Sequence, residues 1–126
     1  MEALSETERE IIRGLLRKEY GPRSPLLDQL AGAGVENREF TGGGVFVSLR
    51  IAADAPAADR LNREISDGFR TMLAPPGDLV GFTLFIRHGY LDFLEGYMFG
   101  SGDWPGEPPD GWLIPRPVGT AGQKAG

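Results

Sequence analysis

Near the N-terminus, hydrophobic residues recur at the three- and four-residue intervals of a helix. The apolar positions of this pattern are Ile11, Ile12, Leu15 and Leu16. Ser5 and Glu8 have the spacing of a capping box, in which the two side chains close the first turn. Gly21 and Pro22 end the pattern. The sequence therefore predicts a helix over residues 6 to 20 with one apolar face.

From residue 35 onwards, apolar and polar residues alternate, which is typical of half-buried strands. The alternating apolar positions are Val45, Val47, Leu49 and Ile51. The glycines at 42 to 44 favour a turn, so residues 35 to 51 predict a first hairpin. Residues 60 to 73 fit either a helix or a strand. We favour a strand over residues 65 to 73, because Gly68 weakens a helix.

Residues 79 to 99 predict a second hairpin with a two-residue turn at His88-Gly89. The cross-strand pairs would be Arg87 with Tyr90, Phe85 with Asp92, and Phe82 with Glu95. One face would carry Phe82, Leu84, Ile86, Leu91, Phe93, Glu95, Tyr97 and Phe99. Because this face is the more apolar one, we expect it to form the core, with the Glu95 carboxylate among its apolar residues.

Together these elements predict an α+β fold, with an N-terminal helix packed on an antiparallel sheet of four or five strands built from hairpins. A chain of 126 residues suits one domain. We expect that domain over residues 1 to 116 and a disordered tail over residues 117 to 126, because the C-terminal segment is rich in glycine and proline. Trp104 is expected to fold back over the sheet, or else to form a recognition surface.

Composition narrows the classes of function. The chain has no cysteine and a single histidine, and it contains no nucleotide-binding motif, so we expect no metal and no cofactor. A net charge of -5 disfavours nucleic acid as a partner. No apolar run approaches the roughly 18 residues of a membrane span, which predicts a cytoplasmic protein without a membrane partner. Eleven of the thirteen cations are arginine, which is typical of a GC-rich bacterial genome.

Glu95 is the sharpest candidate for a functional residue. A carboxylate flanked by Phe93 and Tyr97 should be partly desolvated, which raises a carboxyl pKa. One interpretation makes Glu95 a general acid or base, or a ligand-binding carboxylate oriented by Tyr97 and an arginine. The other interpretation, which we favour, places Glu95 at the sheet edge in a structural role. There it would pair with an arginine such as Arg38 or Arg50, or accept a hydrogen bond from a loop backbone. The candidate residues for ligand or partner binding are Glu95, Tyr97, Trp104, Arg38 and Arg50.

Residues 38 to 51 and 81 to 105 resemble a family of short, uncharacterised bacterial proteins. The most specific part of the match is the segment Leu-Glu-Gly-Tyr at residues 94 to 97, followed by Trp104 and Pro105. The resemblance implies the two hairpins and draws attention to Glu95. It implies no particular activity.

Three hypotheses for the function stay open. The first is a small acidic bacterial binding protein without catalytic activity, of the kind represented by immunity proteins, whose partner is another protein. The second is a small-ligand binder or hydrolytic enzyme that uses Glu95, which would require a deep pocket. The third is a structural homodimer subunit, in which two copies bury a flat apolar face.

Overall fold

The computed structural model describes residues 2–66, 70–71, 79–98 and 116–117. The helices are α1 (Glu6–Tyr20) and α2 (Pro25–Ala31). The strands are β1 (Glu2–Ala3), β2 (Gly34–Phe40), β3 (Gly44–Arg50), β4 (Arg63–Ile65), β5 (Arg70–Thr71), β6 (Leu79–Arg87), β7 (Tyr90–Met98) and β8 (Arg116–Pro117). The predicted α+β fold, with an N-terminal helix packed on an antiparallel sheet, is confirmed.

The strands form one sheet with the order β1-β2-β3-β7-β6-β5-β8, and β4 also pairs with β6. The pairings are antiparallel. The two predicted hairpins are β2–β3 and β6–β7, and they meet where β3 pairs with β7. The second hairpin therefore occupies the middle of the sheet. Among the described strands, five have three or more residues, which agrees with the predicted number.

Both helices pack on the same side of the sheet. The apolar residues that predicted α1 are fully buried, as are Leu26 and Leu30 of α2. The strand residues of this core are Val35, Val45, Val47, Ile65, Val80, Phe82, Leu84, Ile86, Leu91 and Leu94. The other side of the sheet, which carries Phe46, Phe93 and Glu95, is called the outer face below.

Glu8 caps the N-terminus of α1 and also connects this helix to the sheet. Its carboxylate accepts a hydrogen bond from the Ser5 backbone N–H at 2.9 Å, and the Ser5 hydroxyl accepts one from the Glu8 N–H at 3.1 Å. Arg38 of β2 donates to both carboxylate oxygens, at 3.0 Å and 2.6 Å. The side chains of Arg38 and Glu8 are only 9% and 6% exposed. A buried carboxylate is stable here because donors surround it.

Gln29 of α2 is a buried polar residue that links three separate parts of the chain. Its Nε2 donates to the carbonyl oxygens of Pro56, at 2.8 Å, and Gly89, at 2.9 Å. Its Oε1 accepts from the Leu91 N–H at 2.8 Å. Because both ends of the amide have partners, Gln29 is 1% exposed without an unsatisfied polar atom.

The turn between β6 and β7 has the predicted two residues. His88 and Gly89 have φ values of 55° and 86°, as a primed hairpin turn requires. The loop after β3 covers this turn: the Gly89 N–H donates to the Leu61 carbonyl at 2.8 Å, and its carbonyl accepts from the Ala58 N–H at 2.9 Å. A Cβ atom at position 89 would lie 2.4 Å from the Asp59 carbonyl oxygen. Glycine is therefore required there for space as well as for φ.

A β-bulge in β7 changes the predicted register of this hairpin. Arg87 pairs with Tyr90 as predicted, but Phe85 pairs with Phe93 rather than Asp92, because Asp92 is an extra residue in its strand. Glu95 consequently pairs with Thr83, so the predicted pairs of Phe85 with Asp92 and Phe82 with Glu95 are wrong.

Because of the bulge, the β7 side chains beyond Asp92 face the opposite side of the sheet from the one predicted. Beyond Asp92, residues Phe93, Glu95 and Tyr97 lie on the outer face, and Leu94 points into the core with 2% of its surface exposed. The physical reason is the cost of burying a carboxylate among apolar side chains, which exceeds the cost of one irregular pair. The expectation that Glu95 lies in the core is therefore wrong.

Several sequence predictions fall partly or wholly outside the described residues. Where a strand is predicted over residues 65 to 73, the structure has two short strands. These are Arg63–Ile65, which begins before the predicted range, and Arg70–Thr71, and both pair with β6. The remaining residues of that stretch, apart from Ser66, lie outside the described residues. So do Phe99, Trp104 and the predicted tail, except for Pro117 at the start of that tail.

We predict that Gln29→Ala destabilises the fold by about 2–4 kcal/mol, because it leaves a cavity and removes the partners of Pro56, Gly89 and Leu91. Urea unfolding followed by circular dichroism measures the change. Asp28→Asn, an exposed substitution in the same helix, is the matched control and should stay within about 0.5 kcal/mol of the wild type. Equal stability of the two variants would contradict the linking role of Gln29.

A second stability prediction concerns Tyr20, whose buried hydroxyl has no hydrogen-bond partner among the described residues. Tyr20→Phe should stabilise the protein by about 1 kcal/mol, because it removes an unsatisfied polar group and keeps the ring. Burial raises the pKa of the Tyr20 phenol. The folded state therefore holds the phenol neutral, and the wild type should lose stability relative to the variant above about pH 10, where the unfolded phenol ionises. Urea midpoints of both proteins at neutral and alkaline pH test this, and a lower midpoint for the variant would contradict it.

Candidate functional site

Three phenylalanine side chains are in contact on the outer face of the sheet. Phe85 of β6 and Phe93 of β7 are stacked, with ring centroids 4.2 Å apart and planes inclined by 15°. Phe46 of β3 meets Phe93 edge to face, with centroids 5.7 Å apart and an angle of 65°. All three are half-buried. We call Phe46, Phe85 and Phe93 the outer aromatic cluster.

Strand alternation explains why these rings share one face. Val45 and Val47 point into the core, so Phe46 between them points outward. On β6, Leu84 and Ile86 likewise point into the core, so Phe85 between them points outward. On β7 the bulge gives Phe93 its outward position. The cluster therefore depends on the regular alternation of two strands and on one irregularity in the third.

Glu95 lies next to the outer aromatic cluster. It pairs with Phe46 on one side and with Thr83 on the other, and it shares its strand face with Phe93 and Tyr97. Directly opposite residues have Cβ atoms about 4.5–5.5 Å apart, so Phe46 and Thr83 are the nearest cross-strand neighbours of Glu95 on this face. Glu95 is half-buried. None of the ion pairs or side-chain hydrogen bonds found between described residues includes it.

Tyr97 lies on the same strand face as Glu95, and glycines stand opposite it on both neighbouring strands. It pairs with Gly44 of β3 and with Gly81 of β6. A Cβ atom at position 81 would lie 2.7 Å from ring carbons of Tyr97, so the ring covers the backbone of Gly81. At position 44 a Cβ atom would lie 2.3 Å from the Gly96 carbonyl oxygen. These glycines let the strands and the tyrosine ring approach closely.

Carboxylates surround the outer aromatic cluster. Glu39 pairs with Phe46 from β2, and Glu64 pairs with Phe85 from β4, so both lie on the outer face. Both are exposed. Like Glu95, neither takes part in the ion pairs found between described residues. The rings are thus flanked by three negative charges that lack a cation in the described part of the chain.

The two arginines proposed as partners of Glu95 lie elsewhere. Arg38 pairs with Val47 on the core side of the sheet, where it binds Glu8. Arg50 forms an exposed ion pair with Glu36, with 3.3 Å between Nε and Oε1. The expected ion pair between Glu95 and either arginine is therefore wrong. Of the candidate residues, the structure brings together Glu95 and Tyr97, and Trp104 lies outside the described residues.

Sequence reasoning missed Phe46 and Phe85. Both occupy positions that the alternating pattern assigns to the polar side of their strands. A large aromatic residue at such a position is a signal, because outward positions of a half-buried strand are usually polar. Two such residues in strands that meet in the sheet could have indicated an apolar patch on the outer face.

A shallow groove of about 420 Å³ runs from Phe85 towards the β4 edge and is lined by Arg63 and Arg87 among others. Both arginines carry a carboxylate partner. Arg87 binds Asp92 with Nε and Oδ2 3.1 Å apart, and Arg63 binds Glu19. The groove therefore offers little free positive charge for an anionic ligand.

The described residues contain no group of three or more histidine, cysteine, aspartate or glutamate side chains that could hold a metal ion. No helix in that part of the chain is long and apolar enough to cross a membrane. The chain was also compared with protein-family models, with curated proteins and with solved structures, and none of the three comparisons found a match.

Proposed function

We propose that the chain is a small bacterial binding protein, without catalytic activity of its own, that docks another protein on the outer face of its sheet. The observation that carries this proposal is the outer aromatic cluster, which lies on the side that the two helices leave uncovered. The three rings are half-buried, so part of each stays accessible. Aromatic side chains are enriched at protein interfaces, where a few of them supply most of the binding energy.

The charge of the outer face favours a basic partner. Glu39, Glu64 and Glu95 lack cations in the described part of the chain, and the whole chain carries a net charge of -5. A partner with a basic surface would neutralise these carboxylates and would be attracted over long range at low salt. An immunity-type protein that covers the basic surface of a toxin domain fits this description.

The same charges argue against a homodimer through this face. A second copy would bring its own carboxylates close to those of the first, and like charges at an interface cost several kcal/mol. A small-ligand or hydrolytic function has less support, because Glu95 lies on a strand face and does not line the groove beside Phe85. Small-molecule sites usually enclose most of their ligand in a concave pocket.

The proposal is tested in two steps. Affinity capture from bacterial lysate at low salt, with the intact chain as bait, isolates the partner, and the affinity for the purified partner is then measured. We predict that Phe93→Ala weakens that affinity at least about tenfold, as expected for an aromatic residue central to an interface. Phe40→Ala is the matched control, because Phe40 is 46% exposed but pairs with Val45 on the core side of the sheet.

The control variant should bind as the wild type does. Thermal unfolding of both variants separates a loss of binding from a loss of folding. If Phe93→Ala and Phe40→Ala bind equally well while both are folded, the outer face is not the docking surface. Activity of the pure chain on a substrate would contradict the non-catalytic part of the proposal.

A further inference from the structure

The Glu95 carboxylate has surroundings suited to a cation. Glu95 shares its strand face with Phe93 and Tyr97, and its cross-strand neighbours are Phe46 and Thr83. Aromatic faces attract cations, and partial removal from water strengthens the attraction between a carboxylate and an opposite charge. With no cationic partner among the described residues, the carboxylate has unused acceptor capacity.

We propose that Glu95 and the rings around it receive an arginine side chain of the partner protein. This inference rests on the proposed docking at the outer face and specifies its chemistry. The guanidinium binds the Glu95 carboxylate through parallel hydrogen bonds, and its plane lies against the neighbouring rings. Its remaining N–H groups point towards the Thr83 hydroxyl and towards solvent.

Arginine fits this place better than lysine for geometric reasons. A guanidinium is planar, matches a carboxylate with two parallel hydrogen bonds and stacks on aromatic rings. A lysine ammonium is more strongly hydrated and offers no flat surface, so the rings would add less to its binding. The Tyr97 ring already lies over the backbone of Gly81, and a side chain that is packed before binding loses less conformational freedom than one that is not.

Nuclear magnetic resonance titration of the isotope-labelled full chain tests the proposal with defined probes. The probes are two capped hexapeptides, one of arginine and one of lysine, which carry the same charge. We predict that the arginine peptide binds at least about fivefold more tightly than the lysine peptide. The largest shifts should occur at the backbone amides of Phe46, Glu95 and Tyr97.

Two charge variants isolate the contribution of Glu95. Glu95→Gln should remove the preference for arginine, and its midpoint of thermal unfolding should stay that of the wild type because the carboxylate has no ion-pair partner among the described residues. Glu6→Gln is the matched control: Glu6 is exposed on α1 and loses the same charge. It should keep the preference for the arginine peptide.

Equal affinity for the two peptides, or equal effects of the two charge variants, would overturn the arginine site. Docking on the outer face would then still be tested separately by Phe93→Ala with the native partner. Self-association of the chain that blocks the arginine peptide would show that a second copy occupies the face, which also overturns the proposal. Shifts confined to residues far from Glu95 would do the same.

Discussion

The extra residue in β7 controls the sheet on both of its sides. Without the bulge at Asp92, strict alternation would turn Phe93 and Glu95 inward and Leu94 outward. With it, Leu94 fills the core, and the carboxylate meets solvent on the outer face. One irregular pair thus lets the middle strand contribute an apolar side chain to the core while it presents a mixed aromatic and acidic surface outside.

Two buried polar contacts then fix how the helices lie on this sheet. Glu8 and Arg38 join the first turn of α1 to β2, and Gln29 joins α2 to the hairpin turn. Apolar contacts alone would tolerate some sliding of a helix over a strand surface. Hydrogen bonds have narrow ranges of distance and angle, so these contacts restrict the helices to one position.

The secondary structure was largely predictable because its signals are local. The capping box of α1 and the turn at His88-Gly89 each depend on residues a few positions apart, and both are found as predicted. The phase of β7 after the turn was not predictable in this way. Phe93 and Leu94 are both apolar, so the pattern does not show which of them faces the core, and the position of Glu95 depends on that choice.

The partners of the charged residues required knowledge of the tertiary structure. Arg38 binds Glu8, which lies thirty positions earlier in the chain. The contact depends on the position of α1 relative to β2, and no short-range pattern indicates it. The outer aromatic cluster had a weaker local signal, since aromatic residues occupy outward positions. That the three rings form one surface could not be predicted without the strand order, which makes β3, β7 and β6 neighbours.

The hydrogen bonds of Gln29 also have a consequence for the order of folding. Two of the three join residues 60 and 62 positions apart in the chain, so a long loop must close before they can form. Loop closure over such distances lowers the conformational entropy before the contacts compensate for it, and chains rich in such contacts fold slowly. The β6–β7 hairpin closes through its own short turn, so we expect it to form early and α2 and the loop over Gly89 to join it in a later step.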